Sequence, residues 1–408
     1  MTKIEVIDTA FRVWGRNFYR KTSLSQLALE LGVSKPALYR HFENKQALLE
    51  AMTERFLDDF ACSIKPDFEN ALKNKDADEG ISTILGSLTG FFAKNVYALI
   101  FSLINIYERK LSGKDISERL KTRGADLAGF SLVINKKYES DPSLVRLIFA
   151  TLTFFMSSFH KMCNSIENPL SLSDDDVKNI SLKICDISKR GLGYSPEKSS
   201  IDFDELENKI YAKPLDTELD PFFKAVAQAV AEAGPWDVSM DMVAKRLGLS
   251  KSSLYGHFKN RKDMLRRLFV TEFKKIIEFA RQGINLSANA AEQLYLGIFS
   301  ISVYLRSRPE ILVAMDWIRT RKLDFGKPDK NLEIYRLFED VNIEPLKKAT
   351  EDEKQQMSHW ILFLLINILI RQIETNSEEK TGESTVMQNN NIRFLYIFLT
   401  QGLGGFIR

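Results

Sequence analysis

The chain has 408 residues, 44% of them hydrophobic and 27% charged, with a formal net charge of +3. That length exceeds one ordinary core, so two or more are expected, with the composition of a soluble globular protein. So small a net charge excludes a globally basic nucleic-acid coat, and any basic surface must be local.

Helical periodicity runs along almost the whole chain, and no convincing alternating strand interrupts it. Ile4, Ile7, Phe11, Trp14 and Phe18 give a first helix one apolar face. Ser23, with Gln26 three residues on, is a capping-box start for a second helix carrying Leu24, Leu27, Ala28 and Leu31 inward. Gly32 suits a left-handed stop. Ser34 caps a third helix through Phe42, with Pro36 in its first turn, and Asn44 caps a fourth beginning KQALLEAMTERFLDDF. Aromatic-rich helices follow between Ile81 and Glu108; a polar break spans Leu111 to Ile116, and one helix is expected from Ser117 to Ile134. Asp141-Pro142 opens a long helix to Ile166, Ser173 caps the next, and Gly191-Leu192-Gly193 closes it. Residues 194–219 are polar and proline-punctuated, which predicts a linker with one short helix near Phe203 to Tyr211. Asp220-Pro221 starts the cycle again: Phe222, Val226, Val230 and Ala233 form a helix, Gly234-Pro235-Trp236 a turn, and Ser239 the next cap.

The cycle is a duplication. Residues 24–49 read LSQLALELGVSKPALYRHFENKQALL, and residues 240–265 read MDMVAKRLGLSKSSLYGHFKNRKDML. Gly32 aligns with Gly248, Ser34-Lys35 with Ser250-Lys251, Leu38-Tyr39 with Leu254-Tyr255, His41-Phe42 with His257-Phe258, and Asn44 with Asn260. The ending Arg190-Gly191-Leu192-Gly193 is matched by Gln401-Gly402-Leu403-Gly404, so a whole unit of roughly 200 residues is repeated. A helix, a glycine turn and a second short helix is a helix-turn-helix layout. Around it the first copy has Arg12, Arg16, Arg20, Lys21, Lys35, Arg40 and Lys45. The second has Lys245, Arg246, Lys251, Lys259, Arg261, Lys262, Arg266 and Arg267, and is the more basic. Phosphate contacts need such cations together with hydroxyls, here Ser23, Ser34 and Tyr39, then Ser239, Ser250 and Tyr255. Geometry and charge alone leave DNA binding and a merely solvated basic face about equally open.

The residues themselves go further. GVSKPALYRHFENKQALL and GLSKSSLYGHFKNRKDML closely resemble the DNA-binding head of the TetR/AcrR family of transcriptional regulators. The resemblance is specific to the head of each half and weak over the helical remainder. It implies an all-α chain of two tandem units, each a three-helix head followed by a helical domain for ligand sensing and dimerisation. The expected limits are a head at 1–55 (helix-turn-helix at 23–42), a helical domain at 56–193, the linker, a head at 220–272 (239–258) and a helical domain at 273–408. Carried over by position, Ser34, Lys35, Pro36, Ala37, Tyr39, Arg40 and His41 lie on the first recognition helix. Tyr39 and Lys45 would contact phosphates, and Ala37 and Arg40 would approach base edges. The counterparts are Ser250, Lys251, Ser252, Ser253, Tyr255, Gly256 and His257, with Arg261 or Lys262 on phosphate. Phe42 and Phe258 read as core, and each histidine as structural or DNA-facing alike. Gly256 inside a short helix costs about 1 kcal/mol in propensity and removes a base contact.

By the resemblance, the usual family member holds one unit and dimerises through its last two helices. Here those helices occur twice, at Leu144–Ile166 and Val177–Arg190, then Lys354–Glu374 and Asn391–Gly402. The resemblance therefore implies an intramolecular pseudo-dimer on an operator of double-stranded DNA with unlike half-sites, a homodimer of chains being the rival assembly. Phe92, Phe101 and Tyr107, and Tyr295, Phe299, Tyr304 and Trp317, are its candidates for the pocket of a small hydrophobic effector. Aromatics at helical spacing also simply fill a core, and for any single residue that is the favoured reading.

No cofactor, metal or catalytic residue is expected. Cys62, Cys163 and Cys185 lie far apart with no CxxC, as in a reduced cytoplasmic protein. His160 and His359 stand isolated on apolar helices, and no GxSxG, Walker or HExxH pattern occurs. Residues 1–14, MTKIEVIDTAFRVW, mix acidic with apolar residues, unlike a signal peptide. The apolar runs Leu147–Phe159 and His359–Ile370 look shorter than the ~20 residues a membrane span requires. No membrane is expected.

Overall fold

Side-chain caps set the start of several helices of the chain, among them those after Ser23, Ser34, Asn44 and Asp76. The computed structural model describes residues 2–17, 23–107, 113–139, 141–162, 172–194, 201–215, 220–321, 337–338, 341, 343, 347–379 and 385–408. Among these there is no strand, only an isolated bridge between Tyr138 and Ile407. The described residues form an all-α chain that divides into two units, Met1–Lys189 with Phe406–Arg408, and Arg190–Gly405.

Unit 1 opens with α1 (Lys3–Asn17), α2 (Leu24–Glu30), α3 (Lys35–Tyr39) and α4 (Lys45–Lys73). Ile4 is exposed, and the buried face of α1 is Val6, Ala10, Val13 and Trp14. Phe18 lies outside the described residues. Helix α4 runs straight through Pro66 and buries Phe56, Phe60, Ile64 and Phe68. It packs against α5 (Ala77–Lys94), and α1 packs against α6 (Val96–Tyr107). The single helix expected over Ser117–Ile134 is two helices, α7 (Gly113–Lys121) and α8 (Ala128–Ile134). Gly124 at φ +78° parts them, because Gly124 N–H and Ala125 N–H bond back to Lys121 O and Leu120 O and end α7 there. Helices α9 (Pro142–Met162) and α10 (Asp174–Arg190) complete the unit.

Unit 2 includes the stretch expected to link the two halves. Its α11 (Phe203–Tyr211) is the short helix foreseen there, but the helix is part of a core: Leu206, Glu207 and Ile210 are buried, and it packs on a later helix. Next come α12 (Pro221–Asp237), kinked at Gly234, then α13 (Met240–Leu247), α14 (Lys251–His257) and α15 (Arg261–Ile284). Helix α16 (Ala290–Arg306) packs on α11 and α15, and α17 (Pro309–Arg321) packs on α12. Helices α18 (Glu351–Glu379) and α19 (Thr385–Gln401) close the unit, followed by a 3-10 turn over Gly402–Phe406. Pairing of α12 with α17 repeats that of α1 with α6, so each head is seated on its own helical body in the same way.

One expectation is corrected by helix length. Pro142–His160 and Glu351–Ile373 run for 19 and 23 residues and are long and apolar enough to cross a membrane by length and composition. The apolar runs looked shorter because each helix continues through flanking polar and charged residues, such as Ser143 and Arg146 on the first and Lys354, Gln355 and Gln356 on the second. About half of each stretch is buried within the chain, 56% and 50%. Buried residues include Leu147, Ile148 and Phe155 on the first, and Trp360, Leu364 and Leu365 on the second.

Candidate nucleic-acid interface

The two heads are assembled by closely matching hydrogen bonds, with one difference at the first cap. Ser23 Oγ accepts from Gln26 N–H (3.1 Å), and Gln26 Oε1 accepts from Ser23 N–H (2.8 Å), closing a capping box at α2. Ser239 Oγ accepts from Met242 N–H (3.2 Å) at α13, without the reciprocal bond. At the turn, Gly32 and Gly248 stand at φ +65° and +66°. Val33 N–H reaches back to Ala28 O (3.0 Å), and Leu249 N–H to Ala244 O (2.9 Å). This left-handed stop satisfies the last carbonyls and lets the chain re-enter a helix after two residues.

The recognition helices follow. Ser34 Oγ accepts from Ala37 N–H (3.4 Å) and Ser250 Oγ from Ser253 N–H (3.0 Å). Asn44 and Asn260 then cap α4 and α15 through Ala47 N–H (2.8 Å) and Asp263 N–H (2.9 Å). The first recognition helix stops at Tyr39, short of the expected Phe42, so Arg40 caps its end and His41 follows it. Each helix is pinned by a buried leucine, Leu38 or Leu254, with Phe42 and Phe258 buried just past its end as core residues. All other side chains of the two helices remain accessible. Ser34, Lys35, Pro36, Tyr39 and Arg40 are exposed, and Ala37 and His41 half-buried. In the second head Lys251, Ser252, Ser253, Tyr255 and His257 are all exposed, as is Ser250 at the cap. Tyr39 is 42% and Tyr255 48% exposed, a large outlay of aromatic surface on two short helices.

Local contacts orient several of these groups. Lys35 Nζ lies 5.9 Å from the Tyr39 ring centre, and Lys45 Nζ 5.8 Å from that of Trp14, so both ammonium groups rest on aromatic faces. His257 packs on Phe222 with ring centres 4.4 Å apart. The serine hydroxyls serve as caps, which uses an oxygen lone pair and leaves the O–H free to donate to a phosphate. Charge is distributed differently from the sequence expectation. Lys245 pairs with Asp241 (3.1 Å), Arg246 with Glu232, and Arg267 with Asp263 (3.1 Å). The Lys259 N–H and then the Arg267 guanidinium hold the Asp263 carboxyl below the usual range, so it stays ionised beside Arg267. The surplus of cations in the second head is therefore smaller than a residue count implies. Asp241–Lys245 and Asp263–Arg267 are spaced i,i+4, a signal the sequence carried. Arg20 and Lys21 lie outside the described residues, as does the side chain of Arg16.

The aromatic candidates for an effector pocket are interior residues. Phe92 and Phe101 belong to one cluster with Phe56, Phe60 and Phe91, with ring centres 5.0–6.3 Å apart. Tyr295, Phe299 and Tyr304 are buried, and both tyrosine hydroxyls are committed, Tyr295 to Glu207 Oε1 (2.5 Å) and Tyr304 to Glu272 Oε2 (2.9 Å). The side chains of Tyr107 and Trp317 lie outside the described residues. His160 is buried, its Nε2 2.8 Å from Phe92 O, which makes it a core histidine. Among the described residues no cluster of His, Cys, Asp and Glu could hold a metal.

Comparison with a known family falls on the same two heads. The family described as "Bacterial regulatory proteins, tetR family" matches residues 6–52 and 223–268. The HTH-type transcriptional repressor ComR of Escherichia coli (strain K12) is 28% identical over 120 residues, which are 29% of this chain and 56% of that protein. The uncharacterized HTH-type transcriptional regulator YerO of Bacillus subtilis (strain 168) is 34% identical over 55 residues, 14% of this chain and 19% of that protein. The match thus spans about half or less of these relatives. A crystal structure of the TetR family transcriptional regulator PfmR from Thermus thermophilus aligns with 45% of this chain and 95% of its own, at 18% identity and a TM-score of 0.31.

Proposed function

The chain is a tandem TetR-family regulator, and from that premise we propose that it is a sequence-specific DNA-binding transcriptional regulator acting through both heads. The observation that carries this reading is the pair of recognition helices, built on matching caps and turns and presenting Lys35, Tyr39 and Arg40, or Lys251, Ser252, Ser253 and Tyr255, to solvent. Exposed cations, hydroxyls and aromatic O–H groups on one short helix suit a phosphate-lined major groove. Ser23, Ser34, Lys45, Ser239, Ser250, Arg261 and Lys262 would hold the backbone, and Pro36, Ala37, Arg40, His41 and His257 would lie nearest the bases.

Each unit carries its own head and its own closing pair of helices, α9 with α10 and α18 with α19. That favours an intramolecular pseudo-dimer, its two helices addressing successive major-groove turns about 34–36 Å apart. Pro36-Ala37 with Arg40 against Ser252-Ser253 with Gly256 makes the half-sites unlike. Repression is the proposed direction, in keeping with ComR, and a small hydrophobic effector the proposed signal; the compartment is the cytoplasm. A second reading, non-inducible binding with one weakened head, is favoured by Gly256 and by the internal ion pairs of the second head.

Electrophoretic mobility shift at graded salt tests the proposal. Affinity should fall steeply with salt, and Tyr39→Ala should weaken binding to all sequences alike. Binding unchanged by either would refute it. Sedimentation of the DNA complex should find one chain per operator; two would establish the chain homodimer instead.

A further inference from the structure

Helix α11 is held on unit 2 by more than apolar contact. Leu206 and Ile210 are 2% and 1% exposed, and Phe203 meets Tyr295 and Tyr396 edge-on, with ring centres 4.7 and 5.9 Å apart. Tyr211 meets Phe299 in the same way at 5.5 Å. Between these contacts lies a carboxylate, Glu207, only 4% exposed. Its Oε1 accepts from Tyr295 O–H (2.5 Å) and Arg393 Nε–H (2.6 Å), and its Oε2 from Asn389 Nδ2–H (2.7 Å). Asn389 Oδ1 in turn accepts from Tyr211 O–H (3.0 Å) and from the Arg306 guanidinium (2.9 Å). Burying a carboxylate is costly unless it is paired and hydrogen-bonded, as Glu207 is through both oxygens. The network joins α11 to α16 and α19 at once.

Unit 1 has none of these partners. Counted from the caps Asp76 and Asn289, Ser82 and Gly86 stand where unit 2 has Tyr295 and Phe299. Counted from the closing glycines Gly191 and Gly402, Lys178 and Leu182 stand where unit 2 has Asn389 and Arg393. Lys178 and Leu182 are exposed, and Ser82 bonds instead to Lys189 Nζ (2.8 Å) on α10. Four positions on two helices have thus diverged together, all on the face that receives α11.

We propose that α11 is a latch: a segment of this chain that permanently occupies the α16–α19 face of unit 2, closes it to small molecules, and holds that unit in one conformation. Its consequence for induction rests on the effector-responsive reading above, and confines the response to unit 1. Tyr295 and Phe299 are then the seat of α11 and not the wall of a pocket. Glu207 is a positioning residue whose charge selects that seat.

Hydrogen-exchange mass spectrometry on the full chain without DNA tests the latch, with 1-anilinonaphthalene-8-sulfonate as the apolar probe. In the wild type, α11 amides should exchange as slowly as those of α16. Glu207→Ala should speed α11 tenfold or more and leave α1 to α3 unchanged. The dye should slow exchange in α16 and α19 of the variant, and not in those of the wild type. Should Glu207→Ala loosen α15 as well, Arg393→Gln at the partly exposed edge of the network takes its place, with the same expectations. Wild-type α11 exchanging like free chain, variants leaving its rate unchanged, dye protection of α16 in the wild type, or none in the variants would each overturn the proposal. Because no DNA is present, the outcome is separate from that of the mobility-shift experiment.

Discussion

The two helical bodies use one framework for opposite interiors. Counted from the caps Asn44 and Asn260, Phe56 on α4 stands where Glu272 stands on α15. Counted from Asp76 and Asn289, Phe91 and Asn95 stand where Tyr304 and Arg308 stand. In unit 1 these residues join an aromatic cluster, Phe56 with Phe60, Phe91 and Phe101, and Asn95 Nδ2 merely donates to Phe91 O (2.8 Å). In unit 2 they form a buried ion pair, Arg308 to Glu272 Oε2 at 2.8 Å, with Tyr304 O–H on the same oxygen, and both charged residues are 1% exposed. A duplicated fold therefore tolerates complete exchange of core chemistry at fixed positions, provided the whole group changes together. Apolar packing is adaptable, whereas a buried charge pair admits few neighbours.

The largest expected effect breaks that contrast at one position. Arg308→Ala strands Glu272 in the interior and should cost unit 2 about 3–5 kcal/mol. Asn95→Ala, at the equivalent place, removes one hydrogen bond and should cost unit 1 about 0.5–1.5 kcal/mol. Urea titration read by hydrogen exchange, peptide by peptide, assigns each loss to its unit. The double change Glu272→Leu with Arg308→Met should recover most of the loss. Equal costs at both positions would mean that the two interiors are energetically alike after all.

The heads supply the next contrast. On the proposed reading, Arg40→Ala should lower affinity for the half-site assigned to the first head by about 1–3 kcal/mol and relax its sequence preference. Gly256→Arg should sharpen preference at the other half-site. Footprints across a randomised site check both, and a perfectly palindromic wild-type footprint would remove the difference between the heads. How the heads are built was largely legible in sequence, because caps and turns are local: Ser23, Gly32, Ser34 and Asn44 act through residues at most five positions away. Glu207 was not legible, since its partners on α16 and α19 are distant in the chain and a polar stretch with a charge every few residues reads as linker. The break at Gly124 was missed for a related reason, as the apolar pattern continues across it while the backbone turns. Pairing within the second head could have been read from i,i+4 spacing; Glu232 with Arg246 could not, because it joins two helices.

A smaller effect should be the same in both heads. Nothing lies within 4 Å of a Cβ built on Gly32 or Gly248, so alanine there meets no clash and only the left-handed backbone opposes it. Gly32→Ala and Gly248→Ala should each cost about 1–2 kcal/mol of head stability. Thermal unfolding monitored by exchange in α2 and α13 measures the pair. Unequal losses would show that the two turns, alike in hydrogen bonding, differ in strain.

The smallest expected effect separates the units by pH. On α4, Glu50 and Glu54 bond to Arg119, and Glu54 and Asp58 to Arg123, which fastens α7 to the helix leaving the first head. Burial pushes the Glu54 carboxyl up, but the hydrogen bonds and charges of Arg119 and Arg123 outweigh it and hold it below the usual range. A carboxylate whose folded pKa is depressed adds stability that is complete above its unfolded pKa, near 4.3, and is lost as pH falls through the folded value. Counted from the same asparagine caps, unit 2 has Arg266, Val270 and Lys274 at the places of Glu50, Glu54 and Asp58, so this acidic clamp has no counterpart on α15. Acidification from about pH 7 to about pH 3.5 should therefore loosen α7 from α4 in unit 1, with exchange in α7 rising before exchange in α15. Arg119→Gln should weaken the contact at neutral pH and flatten its pH dependence. Because Glu54 is half exposed, solvent screens the pairs and the effect should be small. A simultaneous rise in both units would trace acid sensitivity to something other than these carboxylates.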